Sequence, residues 1–235
     1  MKNLQKHAEM LGLSLTDEQA GAFQTYFDLL IKKNEVMNLT TITDPDEAEL
    51  LHFIDSISLL AKTDIPEGSS LIDIGTGAGF PGIPLKIVRS DLRITLLDSL
   101  NKRVLFLQEV ISALGLTGIT AVHDRAEDAA RKQEHRDQYD FAVSRAVARL
   151  GTLVEYDLPF VKPGGCFIAY KSGDVAGEAA DAENAIRLLC GKSEETISLT
   201  LPESDIHRSF LIIRKTQPTP KRFPRKAGTA KREPL

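Results

Sequence analysis

Cysteine and histidine are scarce in this chain of 235 residues, and neither is arranged as a metal or redox site requires. Cys166 and Cys190 share no metal-ligand or redox spacing, so we interpret them as buried thiols in a reducing compartment. The five histidines are scattered along the chain and form no ligand cluster. The sequence therefore predicts no metal site.

Long apolar runs are also missing. No stretch of about 18 apolar residues is present, which argues against a membrane-spanning helix, and the N-terminus is too polar for a signal peptide. Hydrophobic residues still make up 42% of the chain, enough for a sizeable core. We therefore expect a soluble, cytoplasmic protein with no membrane partner.

Charge is distributed unevenly. From Arg214 to Leu235 there are eight basic residues and one acidic residue, whereas the rest of the chain carries 21 basic and 32 acidic residues. Such asymmetry is typical of a tail that meets a polyanion. A solvated, partly disordered end has the same composition, and charge alone leaves both interpretations open.

Residues 71–82, Leu-Ile-Asp-Ile-Gly-Thr-Gly-Ala-Gly-Phe-Pro-Gly, are the stretch around which the chain is organised. The apolar start predicts a buried strand, and the spaced glycines predict a tight turn that another group approaches closely. The pattern after Pro81 predicts a short helix, whose first turn tolerates proline. A strand, a glycine turn and a helix together form a docking place for a nucleotide-like ligand.

Strands and helices alternate through the following residues. We predict further strands at 93–98, 118–123, 139–144 and 166–170, a helix at 175–190, and a closing antiparallel pair at 196–201 and 208–214. This order predicts an α/β fold with a doubly wound, mostly parallel sheet of seven strands. We divide the chain into a helical N-terminal cap (1–65), a sheet domain (66–215) and a basic tail (216–235).

The cap contains two predicted helices. Thr16 and Gln19 form a capping box ahead of the first helix, and Asp44 begins the second. In the second helix, His52, Asp55 and Ser56 lie three and four positions apart; taken alone, we interpret them as a solvent-facing polar side. The loop at 34–43, between the helices, is expected to form one wall of a substrate cleft.

The glycine turn has two possible registers, each with its own ligand. Gly77, Gly79 and Gly82 match a dinucleotide fingerprint, as in a nicotinamide-dependent dehydrogenase, but leave Gly75 unexplained. The register that starts at Gly75, two residues after Asp73, is typical of enzymes that use S-adenosyl-L-methionine. That ligand carries a sulfonium and an ammonium instead of a pyrophosphate, so a nearby acid favours its binding.

Asp98, at the end of the second strand, suits both ligands because its carboxylate can accept bonds from two ribose hydroxyls. Capping of the next helix is an alternative role, and one carboxylate can do both. A non-catalytic RNA-binding protein with a relic nucleotide fold remains a third hypothesis for the whole chain.

Cations follow several strands at the predicted ligand edge. Any one of them could pair with a local acid, but as a set they favour a polyanionic substrate; they are Lys102, Arg103, Arg145, Arg149 and Lys171.

The residues after the fourth strand narrow the chemistry of a methyl transfer. Ser144-Arg145-Ala146-Val147 stands where adenine-amine methyltransferases usually carry an Asp/Asn-Pro-Pro-aromatic motif. Cys166 lies inside an apolar strand, which argues against the nucleophile that pyrimidine carbon-5 methylation needs. Guanine N7 has an in-plane lone pair and needs no general base, so the lack of an evident base is consistent with it.

Several stretches together resemble the ribosomal RNA small subunit methyltransferase G family, also called GidB. They follow one another in the family's order across almost the whole chain: Asn38-Leu-Thr, His52-Phe-Ile-Asp-Ser56, residues 73–82, Asp98-Ser-Leu-Asn-Lys-Arg103, Arg125-Ala-Glu127, Ser144-Arg-Ala-Val-Ala-Arg149, and the ending from Phe223 to Leu235. The resemblance implies S-adenosyl-L-methionine as methyl donor and 16S rRNA, in the small ribosomal subunit or its precursor, as partner. The implied product is 7-methylguanine at guanine 527.

The same resemblance implies roles for individual residues at the donor. Gly75 and Phe80 would contact its methionine side, with Gly77 in the same turn, and Asp98 would hold the ribose. At the far ends of the donor, Ala126 and Glu127 would meet the adenine and Arg145 would close the site.

The RNA contacts are a hypothesis from position and charge, and they comprise Asn38, Arg149, Lys171, Arg222, Arg225 and Lys226. Phe223 stands where the family commonly has tyrosine, and its ring could still stack on a base. Removal of the tail is expected to lower RNA affinity and to spare donor binding.

Overall fold

The computed structural model describes residues 1–172 and 175–235, and its N-terminal part is helical. The cap consists of α1 (Leu4–Met10), α2 (Asp17–Met37), α3 (Pro45–Ala48), a π-helical turn (Glu49–Ile54), α4 (Asp55–Ile57) and a 3₁₀ turn (Ser58–Ala61).

The predicted capping box at the start of α2 is confirmed. The Thr16 hydroxyl accepts a bond from the Gln19 backbone N–H (3.2 Å), and the Gln19 side chain accepts one from the Thr16 N–H (2.9 Å). The Gln19 amide also donates to the carbonyls of Ile87 (3.0 Å) and Val88 (3.2 Å) in the sheet domain. One side chain therefore begins the helix and fastens the cap to the sheet.

The interpretation of His52, Asp55 and Ser56 as solvent-facing is wrong. Their exposed fractions are 9%, 2% and 0%. A π-helical turn uses i→i+5 hydrogen bonds, so spacings of three and four no longer separate a buried from an exposed side. The segment packs between the rest of the cap and the sheet. His52 and Asp55 line a cleft there, and the Ser56 hydroxyl donates to the His52 carbonyl.

The predicted fold class is confirmed by a mostly parallel sheet in the order β3-β2-β1-β4-β5-β8-β6, with β7 also paired to β8. The first five strands run parallel and β8 is antiparallel to its neighbours. The strands are β1 (Ser70–Ile74), β2 (Arg93–Asp98), β3 (Ile119–His123), β4 (Tyr139–Arg145), β5 (Val161–Lys171), β6 (Gly191–Ser193), β7 (Ile197–Thr200) and β8 (His207–Lys215). The described residues form eight strands, one more than the predicted seven. The difference arises because the two short strands β6 and β7 both pair with β8.

Helices cover both faces of the sheet. They are α5 (Gly82–Val88), α6 (Asn101–Ala113), α7 (Ala126–Ala129), α8 (Leu150–Asp157), α9 (Val175–Asp181), α10 (Glu183–Leu188) and α11 (Thr229–Arg232), with a 3₁₀ turn at Leu158–Phe160. The helix expected over 175–190 is thus two helices, and the break brings Ala182 and Ile186 into the core.

Two buried clusters lie on opposite faces of the sheet. The larger joins cap residues such as Phe23 and Phe53 to sheet-domain residues such as Leu71 and Ile83. The second contains Phe223 from the tail, which is 4% exposed. The Arg222 guanidinium lies 5.0 Å from the centroid of that ring. Phe223 is therefore a core residue, and the expectation that a base stacks on it is wrong.

Among the described residues, no helix combines the length and the apolar character that crossing a bilayer requires. The boundaries of the three regions, at 65 and 215, stay a prediction.

Candidate functional site

The carboxyl ends of the parallel strands form the candidate site. In the order β3-β2-β1-β4-β5, the direction of chain progression reverses between β1 and β4, and such a switch point leaves a crevice outside the strand ends. Two cavities lie at this edge, and the loop that follows β4 contributes to both.

Asp73, in β1, holds the glycine turn together from below. One of its carboxylate oxygens accepts bonds from the Thr76 hydroxyl (2.6 Å) and from the N–H of Gly82 (2.8 Å), where α5 begins. The side chain is fully buried, and its other oxygen has no hydrogen-bond partner. Because burial disfavours the charged form, the pKa of Asp73 rises to about 6.

The glycines of the turn have different roles. A Cβ on Gly79 would lie 2.5 Å from the Tyr26 hydroxyl, and one on Gly82 would lie 2.3 Å from a Leu96 methyl. These two glycines are therefore required by internal packing. Moreover, the first N–H of α5 is bonded to Asp73 and is not available to a pyrophosphate. Both facts favour the register that starts at Gly75.

The first cavity, here called the turn pocket, has a volume of about 380 Å³. Four of the residues predicted to hold the donor line it: Gly75, Asp98, Ala126 and Glu127. They follow β1, β2 and β3, which are neighbours in the sheet, so the pocket extends across three strand ends. Its remaining wall consists of Ile74, Leu97, Ser99, Asp124, Arg125, Val147, Tyr156, Gly228 and Lys231.

Asp98 is only 3% exposed and is the best-connected acid of the pocket. Its carboxylate accepts bonds from the N–H groups of Leu100 (2.8 Å) and Gly77 (3.0 Å) and from the Arg103 guanidinium (3.4 Å). A carboxylate has about four acceptor sites, so these bonds leave room for a ligand hydroxyl. The same residue thus positions the turn and faces the pocket.

Phe80, Gly77 and Arg145 do not line the turn pocket. Phe80 is 8% exposed and stacks on the rings of Tyr26 and His52. An added Cβ on Gly77 meets only a carbonyl oxygen at 3.9 Å, so the turn is open there. Arg145 lies over the Phe80 ring at 5.2 Å and lines the second cavity. Their predicted contacts with the donor stay predictions.

The second cavity, here called the cap cleft, has a volume of about 530 Å³. At its floor, Asp55 accepts a bond from Arg145 (3.0 Å) and one from Arg208 (2.9 Å). The carboxylate is nearly inaccessible, whereas the side chains of the two arginines keep 13% and 18% of their surface exposed. Asp55 therefore fixes two guanidinium groups at the cleft with one unit of positive charge in excess.

Two further predicted cations line the cap cleft, Arg149 and Lys171. The Lys171 ammonium donates to Glu178 (2.6 Å) and to the Ala148 carbonyl (2.8 Å), so it fixes the loop after β4. Arg149 is exposed at the start of α8 and makes no ion pair within the described ranges.

His52 completes the cleft lining as a neutral ring. Burial and the nearby Arg145 lower the pKa of His52 to about 4, and its Nε2 lies 2.8 Å from the Thr40 hydroxyl. The positive charge of the cleft therefore comes from its guanidinium and ammonium groups and not from His52.

The remaining predicted RNA contacts lie elsewhere. Asn38 is exposed, but it ends α2 in a left-handed conformation (φ 49°) and is not part of the cleft lining; Ile42, from the same loop, is. Arg222 and Lys226 are exposed on the tail. Arg225 instead forms a bidentate pair with Glu155, which is 1% exposed, so the structure gives it a partner within the protein.

Sequence reasoning missed several residues of both cavities. Arg208 in β8 and Gly228 and Lys231 in the tail had no local motif that connected them to a strand end. Asp55 lies in a mostly apolar stretch of sequence. This acid was the feature that could have indicated a buried polar floor of the cap cleft.

Comparison with known proteins assigns the chain to a family. The chain matches the family model described as rRNA small subunit methyltransferase G over residues 19–207. The chain belongs to the rRNA small subunit methyltransferase G family. A protein of that name from Lachnoclostridium phytofermentans is 50% identical over 96% of this chain and 93% of its own length. Another, from Alkaliphilus metalliredigens, is 49% identical over 99% and 97%.

Solved structures of other proteins share the fold. A SAM-dependent methyltransferase from Aquifex aeolicus superimposes with a TM-score of 0.55 at 16% identity, covering 75% of this chain and 97% of that one. The [4+2]-cyclase SpnF gives the same TM-score at 13% identity, covering 70% and 81%. At such identities the likeness shows the fold alone. The comparisons confirm the predicted family and the predicted fold class. They also confirm that the protein is a methyltransferase and that its cofactor is S-adenosyl-L-methionine.

The turn pocket suits this donor on its own chemistry. It offers a glycine backbone, a nearly buried acid that retains acceptor capacity, and a buried carboxylate beneath the turn. The residues that would hold the donor are Gly75 at the turn, Asp98 at the ribose, and Ala126 and Glu127 beyond it. Within the described ranges, no group of three or more metal-ligating side chains is present.

Proposed function

We propose that this protein transfers a methyl group from S-adenosyl-L-methionine to N7 of guanine 527 in 16S rRNA, in the small ribosomal subunit or its precursor. The observation that carries the proposal is the cationic cap cleft beside the turn pocket. Val147 lines the turn pocket, while Ala146, Ala148 and Arg149 line the cap cleft. The loop after β4 is therefore the partition between the two cavities, and direct transfer needs the sulfonium methyl and guanine N7 to meet at its edge. Ribosomal RNA as substrate places the reaction in the cytoplasm.

The cleft supplies what a polyanion needs. Arg145 and Arg208 are held by Asp55, so they present fixed donors and lose little side-chain entropy when a phosphate binds. Arg149 adds an exposed guanidinium at the rim. These groups would position the RNA, and the loop fixed by Lys171 would hold the base next to the turn pocket.

Methyl transfer to guanine N7 requires positioning of the two reactants more than proton transfer. When bound, the donor supplies a methyl group on a sulfonium sulfur. Guanine N7 carries an in-plane lone pair and no proton, so the chain needs no general base. The neutral, hydrogen-bonded His52 and the ion-paired Lys171 agree with this requirement. Holding the two reactants in line then accounts for most of the catalysis.

Asp98 would be the main anchor of the donor. Of its three internal bonds, the one to Arg103 is the longest at 3.4 Å. One ribose hydroxyl would donate to the free acceptor site of Asp98. The other hydroxyl would replace the bond from Arg103, whose side chain is 34% exposed and would move into solvent.

The test is transfer of labelled methyl from the donor to small ribosomal subunits that lack the modification, followed by mass mapping of the 16S rRNA. We expect one new 7-methylguanine, at guanine 527, and loss of that mark in cells without the protein. RNA binding without transfer would instead support a non-catalytic RNA-binding protein.

A further inference from the structure

The tail reaches the turn pocket from a distant part of the sequence. Gly228 and Lys231 line it next to Glu127 and Tyr156, at the end that lies over β3. The glycine turn follows β1, which is separated from β3 by β2. The tail therefore reaches the pocket on its β3 side, away from the glycine turn.

A direct hydrogen bond connects the tail to this end of the pocket. The Gly228 N–H donates to the Glu127 carboxylate at 2.8 Å. Gly228 has a φ of 80°, a conformation that side chains rarely adopt, and the turn it makes leads into α11. Glu127 is 7% exposed, so the bond lies largely outside solvent.

The tail is held in place by buried contacts that do not involve the pocket. Glu155, 1% exposed, accepts bonds from the Arg225 backbone N–H (2.6 Å) and from its guanidinium (2.7 and 3.0 Å). The Thr152 hydroxyl donates to the Ala230 carbonyl (3.2 Å), and Ala230 is 2% exposed. A segment fastened on both sides of Gly228 is a built part of the molecule and not a mobile arm.

We propose that residues 223–232 form a fixed wall of the donor pocket, with Gly228 and the Arg225–Glu155 pair as its positioning elements. The ligand part that this wall meets is the nucleoside base, because Asp98 takes the ribose and the lining that Gly228 shares includes Ala126, Glu127 and the ring of Tyr156. The expectation that loss of the tail spares donor binding is thereby reversed. The inference rests on the assignment of the turn pocket to the donor under the proposed function.

The experiment measures ligand binding by calorimetry without RNA, using S-adenosyl-L-methionine and 5′-methylthioadenosine. Gly228→Pro removes the N–H that Glu127 accepts and cannot adopt the positive φ. Glu155→Gln weakens the anchoring of Arg225 from outside the pocket, so its effect on binding passes through the tail. Lys221→Ala is the matched control, since Lys221 is an exposed tail cation that does not line the pocket.

We expect Gly228→Pro to weaken both ligands by about tenfold, because the displaced tail no longer meets the nucleoside, and Glu155→Gln to weaken both by several-fold. Lys221→Ala should leave both affinities unchanged. Unchanged affinities in both test variants would overturn the inference, as would a loss confined to S-adenosyl-L-methionine, because the wall would then not meet the nucleoside. Thermal unfolding identifies a variant that is not folded, and the other variant then decides. Since no RNA is present, a wrong RNA target cannot produce any of these results.

Discussion

The turn pocket and the cap cleft lie side by side at one edge of the sheet, yet their linings carry opposite charge. The turn pocket has three acids and two cations, which are Asp98, Asp124, Glu127, Arg125 and Lys231. Among the described residues, the lining of the cap cleft has four cations and two acids, which are Arg145, Arg149, Lys171, Arg208, Asp55 and Glu178. A cationic donor and a polyanionic RNA are thus separated by electrostatics as well as by the loop after β4.

The two cavities also use their acids differently. In the turn pocket, Asp98 lines the cavity and organises the backbone of the glycine turn. In the cap cleft, Asp55 lies at the floor and organises two arginines that line the cavity with it. Under the proposed function, an aspartate would bind the ligand in one cavity and position other side chains in the other.

The largest expected effect comes from removing the acid at the floor of the cleft. Asp55→Ala leaves two mostly buried guanidinium groups without their carboxylate partner, which should lower the free energy of unfolding by about 3–5 kcal/mol. Urea denaturation measures this loss. Asp46→Ala, an exposed acid of the same cap, should stay within about 0.5 kcal/mol of the parent. If the Asp55 variant also lost no more than about 0.5 kcal/mol, water would be replacing the carboxylate as the partner of the two arginines.

The corresponding change in the turn pocket should act on the donor. Asp98→Ala removes the acceptor for buried ribose hydroxyls and is expected to weaken donor binding by about 5- to 150-fold, or about 1–3 kcal/mol. Calorimetry with S-adenosyl-L-methionine measures this, and RNA affinity should not change. Asp128→Ala removes an exposed acid that is not in the pocket lining and is the control. Equal donor affinity in both variants would contradict the register of the glycine turn.

The pKa of Asp73 predicts a pH dependence that belongs to the turn pocket alone. Burial raises this pKa from 3.8 to about 6, so the carboxylate beneath the turn is mostly ionised at pH 7 and mostly protonated at pH 5. A cationic donor should therefore bind several-fold more weakly at pH 5, and Asp73→Asn should remove this dependence. An equal drop in both proteins would assign the pH dependence to another group.

The same shift predicts the pH dependence of stability. Because the folded pKa lies above the unfolded one, Asp73 stabilises the folded state most below pH about 4, and this contribution is lost as the pH rises through about 6. Chemical denaturation of the parent and of Asp73→Asn across this range measures the difference.

The smallest effect is expected at the rim of the cleft. Arg149→Ala removes one exposed guanidinium, so RNA affinity should fall modestly and the slope of log affinity against log salt should decrease by about 1. Arg93→Ala, an exposed arginine at the opposite edge of the sheet, is the matched control. A salt slope that responds equally to both variants would show that RNA is not held in the cap cleft.

Structural elements that depend on local sequence were predicted well. The strand, glycine turn and helix at 71–88 and the acid at the end of β2 follow from short-range patterns, and four predicted donor residues line one pocket. The rest depends on contacts between distant residues. Arg208 meets Asp55 across 153 positions, and Gly228 meets Glu127 across 101. The basic composition of the tail gave no sign that its backbone is packed against the core.

A crystal structure with S-adenosyl-L-homocysteine and a guanine-containing 16S rRNA hairpin tests the division of labour between the two cavities most directly. We expect the adenosine part of S-adenosyl-L-homocysteine in the turn pocket, with its ribose on Asp98, and a guanine of the RNA in the cap cleft with N7 facing the partition at Val147. The adenosine part in the cap cleft, or RNA bound away from Arg145 and Arg149, would contradict the account.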